Sequence, residues 1–169
     1  MQPDDLKARQ APLKQSYRED PAAAVVRLRA EGALAPEGIA CKVDTGRALV
    51  EAGLHPKTGG DGTQACSGDM LLEALAACAG VTMAAVAQAL GVTLHGGRVL
   101  AEADFDARGT LAVDREAPVG LTAITLDFEV ESDADPDQLA TLLKLTERYC
   151  VILQTLRAGP DVTARIAAA

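Results

Sequence analysis

Aromatic residues are nearly missing from this sequence: two Tyr, two Phe and no Trp among 169 residues, 2% in all. A core without large rings must be assembled from Leu, Val, Ile and Ala. Such a core gains from burying further surface against another subunit, so a homo-oligomer is expected. Histidine is as scarce, with only His55 and His95, and the four cysteines, Cys41, Cys66, Cys78 and Cys150, contain no CxxC pair. That spacing excludes the common zinc frameworks, and no metal is expected. An excess of basic charge is also lacking: 16 Lys and Arg stand against 24 Asp and Glu, for a net charge of -8. Nucleic acid and anionic membrane surfaces would be repelled, so neither is an expected partner. The first twenty residues are polar, with Asp4, Asp5, Lys7, Arg9 and Lys14, and hold no apolar segment of the signal-peptide kind. A cytoplasmic, reducing location is therefore expected, where structural disulfides are rare. The longest apolar run, Met70 to Leu90, is rich in Ala and carries Glu73 and Gln88, which reads as a buried helix rather than a membrane span. The glycines Gly59, Gly60 and Gly62 are not followed by GK[ST], so a nucleotide cofactor is not expected.

What is present is 49% apolar residue content, enough for one folded domain of this length. Pro3, Pro12 and mixed charges predict a loose opening stretch. Asp20-Pro21 then has the signature of a helix start, N-cap followed by proline, predicting a helix over Ala22 to Glu31 that Gly32 closes. The alternation in GIACKVD, Gly38 to Asp44, predicts a strand that turns at Thr45-Gly46 and returns over Arg47 to Ala52 as a hairpin. A glycine-rich loop, Gly53 to Ala65, follows. Ser67 is the expected N-cap of a long helix to Leu90, ended by Gly91, with Leu71, Leu75, Cys78, Thr82 and Ala85 on one apolar stripe. Strands are expected over Val92 to Asp106, bent at Gly96-Gly97, and over Leu121 to Glu131. Asp135-Pro136 opens a helix to about Arg148, Cys150 to Leu156 adds a further helical turn, and Asp161 to Ile166 is read as a closing strand. Antiparallel strands with segregated helices give the α+β class. The chain is divided as an N-terminal extension with a helix, 1–37, and a main unit, 38–169, within one structural domain.

The segment GGDGTQACSGDMLLEALAACAGVTM, Gly59 to Met83, together with ERYCVI, Glu147 to Ile152, resembles the two cysteine segments of the OsmC/Ohr family (osmotically inducible protein C, organic hydroperoxide resistance). The resemblance covers about Gly38 to Ile166. It implies an OsmC-like fold, in which antiparallel sheets wrap long central helices in an intertwined homodimer. It also implies a thiol-dependent peroxidase that reduces organic hydroperoxides, and hydrogen peroxide less well. By the same resemblance, Cys78 matches the attacking cysteine, Cys150 the resolving one, and a dithiol serves as reductant. Family members use an Arg from before the helix; Arg47 is the first candidate and Arg148, beside Cys150, the second. Where Ohr-type members carry Pro and then Glu at the helix start, this chain has Ser67 and Gly68, with Asp69 next as the substitute carboxylate. Val151 stands where a Pro usually follows the second cysteine. These departures suggest an outlying OsmC-like branch.

The residue chemistry agrees with such a role. A thiolate is the nucleophile and needs a lowered pKa, whereas burial alone raises it. Each feature also has a plainer reading. A cysteine in a buried helix is commonly a small apolar residue. Cys41 reads as structural, Cys66 as surface packing at a helix start, His55 as a turn residue and His95 as surface. Glu73, among apolar residues, is a carboxylate that needs a partner and faces either the Arg or a subunit contact, while Glu147 is either a solvated helix acid or a carboxylate that positions the Arg. The functional alternatives to a peroxidase are a non-enzymatic dimer that binds an apolar ligand, and a redox sensor.

Overall fold

The computed structural model describes residues 3–34, 41–43 and 52–166. The element order is α1 (Pro3–Glu19), β1 (Val25–Leu34), β2 (Cys41–Val43), β3 (Ala52–Gly53), β4 (Ala65–Cys66), α2 (Ser67–Leu90), β5 (Leu94–Asp106), α3 (Ala107–Thr110), β6 (Thr125–Ser132), α4 (Pro136–Tyr149) and α5 (Val151–Ala158). Four strands form one antiparallel sheet in the order β2-β1-β5-β6, while β3 and β4 make a short parallel pair that closes the glycine-rich loop. The α+β class holds.

Period-two alternation explains β5 and β6. Val99, Ala101, Ala103 and Phe105 are buried on one face of β5. In register with them, Leu126 opposes Ala101 and Phe128 opposes Val99, so the apolar face continues onto β6. On the other face Arg98 makes a bidentate pair with Glu129 at 2.8 and 2.7 Å. Gly97 is required where it stands: its φ is 146°, and a Cβ there would collide with the Glu129 carbonyl oxygen.

Across this face lies α2. Its length and apolar composition would suffice to cross a membrane. Here, however, it packs on β1 and β5 and against α4 and α5. Leu72, Leu75, Ala76, Ala79, Gly80, Met83 and Ala87 are its buried residues, and this i, i+3, i+4 ridge is the centre of the core. Full burial of a Leu such as Leu72 or Leu75 stabilises by about 1.5–3 kcal/mol. The helix ends at Gly91, whose φ of 68° gives the left-handed C-cap.

Several expectations are corrected. The opening stretch is a helix, α1, that runs through Pro12. Leu13 and Tyr17, one turn apart, pack it on the core, and the Tyr17 hydroxyl donates to the Lys57 carbonyl at 2.6 Å. The expected helix over Ala22 to Glu31 is only a 3-10 turn, Pro21–Ala24, capped by Asp20, after which β1 begins. The reason is visible in VVRLRA: Val26, Leu28 and Ala30 alternate with arginines, and they pair with Phe105, Ala103 and Ala101. The stripe of α2 is rotated from the expected one, since Leu71 is exposed and the buried ridge runs through Leu72 and Ala76. Its N-cap is Cys66 rather than Ser67. No strand forms over 161–166, where Val162 and Ile166 are 87% and 99% exposed. An alternating pattern becomes a strand only against an available edge, and among the described residues nothing pairs with it. The returning hairpin strand over Arg47 to Ala52 falls almost wholly outside the described residues.

Candidate functional site

Rotation of the α2 stripe matters for chemistry. It moves Cys78 and Thr82, one helical turn apart, from the centre of the core to its flank. Both are half-buried there, on a helix that packs against α4 and α5.

The second cysteine arrives through a break between helices. A capping box starts α4: the Asp135 carboxylate accepts from Gln138 N at 2.8 Å, and the Gln138 side chain accepts from Asp135 N at 3.0 Å. The helix runs to Tyr149, and Cys150 then takes an extended conformation, with φ -70° and ψ 107°. Its amide donates the last bond of α4, to the Thr146 carbonyl at 2.9 Å. Its carbonyl accepts the first bond of α5, from Gln154 N at 2.9 Å. The backbone of Cys150 therefore serves both helices while its side chain is wholly buried.

Cys78 and Cys150 meet. Both are free thiols, and their side chains interact by a hydrogen bond. Burial pushes the Cys78 thiol up, but donors outweigh it and the net direction is down. Those donors are the Ile152 amide, the Cys150 thiol, the Thr82 hydroxyl and the Val151 amide. Cys150 moves the opposite way, raised by burial and by the neighbouring Cys78 sulfur. The two thiols titrate as a coupled pair, with Cys78 lowered and Cys150 raised. Sequence reasoning had placed Thr82 on the stripe without assigning it a role. The amides carry no side-chain signal at all.

The other expected site residues lie apart. Asp69 is in the first turn of α2, nine residues before Cys78, which is about 13 Å along a helix axis. Its neighbour there is His55. Burial raises the Asp69 carboxyl, and His55 offsets part of that rise. His55 itself is pushed down by burial, partly countered by Asp69. Its Nδ1 accepts from Lys57 N at 3.0 Å and its ring meets Phe105 edge-on at 5.5 Å, so it is a satisfied turn residue. Arg47 lies outside the described residues. Arg148 is exposed, with its guanidinium 5.8 Å from the Tyr149 ring centre. Cys66 is half-buried at the start of α2, and His95 is a surface residue 3.0 Å from Asp133. Among the described residues no group of three or more His, Cys, Asp or Glu could hold a metal.

Beside α5 runs a groove of about 420 Å³ of mixed lining: Leu126 and Phe128 of β6, Ile124 just before it, and Leu143, Leu153 and Leu156 of the helices supply its apolar part. On its rim Arg157 pairs with Glu147 at 2.6 Å.

The family described as OsmC-like protein matches residues 60–165. This chain belongs to the OsmC-like family. No curated protein matches it. Among solved structures it resembles an OsmC-like hydroperoxide resistance protein from Jannaschia sp. CCS1, with a TM-score of 0.57 and 18% identity. That alignment covers 85% of this chain and 92% of the other. At that identity the likeness concerns the fold. The matched segment, 60–165, contains both thiols, α2 and the α4–α5 break, so the OsmC-like part of the chain is the part that builds the site.

Proposed function

We propose that this OsmC-like protein is a cysteine peroxidase that reduces organic hydroperoxides, with Cys78 as the attacking residue and Cys150 as the resolving one. The observation that carries the reading is the meeting of these two thiols, distant in sequence, with the Cys78 thiol lowered and the Cys150 thiol raised. The Cys78 thiolate attacks the outer peroxide oxygen and the O–O bond breaks. The alkoxide takes a proton and leaves as the alcohol, and the sulfur is left as sulfenic acid. The Cys150 thiol then attacks that sulfur. A disulfide forms and water departs with the thiol proton. A dithiol reductant returns both thiols by exchange and is itself oxidised to its disulfide. No cofactor enters the cycle.

Arg47 is retained as the proposed cation near the attacking sulfur. Asp69 is retained as the supporting carboxylate. Because it lies about 13 Å along α2 from Cys78, that support requires a second copy of the chain to carry Asp69 to the thiols. A homodimer is therefore part of the proposal. In its favour, Met70, Leu71, Val81, Leu143, Tyr149 and Val151 leave apolar surface exposed on α2, α4 and α5. The proposed setting is the cytoplasm, where thiols stay reduced between turnovers.

The test is turnover of cumene hydroperoxide with a dithiol reductant. Wild type is expected to consume peroxide catalytically, and Cys78→Ser to fall to the uncatalysed rate. A wild-type protein inert with every dithiol tried would reject the peroxidase and favour a ligand-binding role for the groove.

A further inference from the structure

A strand at the end of a sheet leaves a row of backbone donors and acceptors open, and that row is a template for another strand. β6 is such a strand, last in the order β2-β1-β5-β6. One of its edges pairs with β5, from Leu94↔Ser132 to Glu102↔Thr125. Along the other edge no strand lies among the described residues. β6 alternates throughout. Leu126, Phe128 and Val130 are half-buried against the core, while Thr125, Asp127, Glu129 and Glu131 are exposed. On the core side, the groove of about 420 Å³ stays open between Leu126, Phe128 and the last two helices.

The same chain carries a segment of matching pattern. α5 is closed by Gly159, left-handed at φ 57°, and Pro160 follows. Residues 161–166, DVTARI, then run on outside any helix or strand and are exposed throughout. Val162 and Ile166 are 87% and 99% exposed. In an extended segment Val162, Ala164 and Ile166 share one face, and Asp161, Thr163 and Arg165 share the other. Pro160 precedes the segment, where its missing N–H interrupts no ladder.

We propose that residues 161–166 of one copy add as a strand to the open edge of β6 in a second copy, and that the exchange is reciprocal. The two surfaces complement each other in three ways. The backbone groups of the segment meet the open row on β6. Val162 and Ile166 extend the face of Leu126 and Phe128 and cover the groove beside it. On the solvent face β6 presents Asp127, Glu129 and Glu131, of which only Glu129 has an arginine partner, Arg98, among the described residues; Arg165 brings a further cation to that face. Extended, the stretch from Pro160 to Ile166 reaches up to about 23 Å, enough to bridge to a neighbouring subunit. The occupant is a second copy because segment and edge occur together in one chain. Two copies then hold two of each, and the assembly closes on itself. The inference gives the proposed homodimer a specific contact and rests on neither thiol.

The test reads assembly. Sedimentation velocity over a range of concentrations compares the full chain, a chain ending at Gly159, Thr163→Pro, and the double variant Val162→Asp with Ile166→Asp. The altered residues are exposed in their own subunit, so its fold should persist, which thermal unfolding of each variant checks. The full chain is expected to dimerise. Each of the three changes is expected to raise the dimer Kd by about tenfold or more, the loss typical of removed interface anchors. A full chain that stays monomeric would overturn the exchange, as would a Kd unchanged by removal of 160–169. Crosslinking then tells one copy from two. Arg165→Lys supplies an amine, and a carbodiimide condenses it with a neighbouring carboxylate into an amide, with loss of water. The expected product has the mass of two chains and yields a peptide pair joining position 165 to Asp127, Glu129 or Glu131. The same pair confined to the mass of one chain would mean that the segment closes on its own sheet, and would also overturn the exchange. Neither readout uses peroxide. A chain inert toward hydroperoxide leaves both readable, and an active chain whose dimer survives the truncation loses this inference alone.

Discussion

At the scale of single residues, the site depends on polar groups placed in apolar surroundings, each with its partner. Cys78 has donors from two helices. His55 and Asp69 moderate one another beside Phe105, and the carboxyl of Asp106, itself buried, is lowered from its ordinary value by hydrogen bonds from Arg108, at 2.6 and 3.0 Å. Thr146 is the exception. It is 1% exposed, and its hydroxyl has no hydrogen-bond partner. A buried hydroxyl left unpaired costs about 1–3 kcal/mol. Thr146 lies one turn before Cys150, whose amide donates to the Thr146 carbonyl. Replacing it by the isosteric valine should raise the unfolding free energy by about 1 kcal/mol in urea denaturation, with an unchanged denaturant slope. A loss of stability instead would mean that the hydroxyl is satisfied in solution.

At the scale of elements, the important joint is the one between α4 and α5. The Asp135–Gln138 capping box sets where α4 begins, and fourteen residues later the chain breaks at Cys150, so the cap helps fix the approach of the second thiol. Asp135→Ala should lower stability by about 1 kcal/mol, measured as a fall in thermal midpoint. The same elements show what the sequence made legible. The helix starts at Asp135-Pro136, the helix end at Gly91 and the bend at Gly96-Gly97 are local signals, and each was readable. The stretch 20–34 was misread because local chemistry competed with pairing. Asp20-Pro21 does cap a turn, but the alternation from Val26 onward is taken up by β5, a partner 65 to 79 positions away. The closing segment 161–166 failed in the opposite sense, having strand alternation that joins no edge among the described residues. Both cysteines were legible from the family resemblance. The amides of Val151 and Ile152 were not, because backbone donors leave no trace in a sequence.

At the scale of the whole molecule, the sheet and helices enclose a core that is small-residue-rich on α2 and β5, as the scarcity of rings requires. Apolar surface remains on α2, α4 and α5, and a groove runs between β6 and the last two helices. The proposed homodimer would cover part of that surface and carry Asp69 toward the thiols. The net charge of -8 favours solubility of such an assembly and disfavours polyanionic partners. The claim on which the account rests is that Cys78 and Cys150 act as one redox couple. It is tested most directly by exposing the reduced protein to one equivalent of cumene hydroperoxide, blocking free thiols, and mapping peptides without reduction. The account predicts a peptide pair linked through Cys78 and Cys150, formed with the loss of two hydrogen atoms and reversed by a dithiol. Recovery of both cysteines as free, alkylated thiols, or of Cys78 joined to a different cysteine, would contradict it.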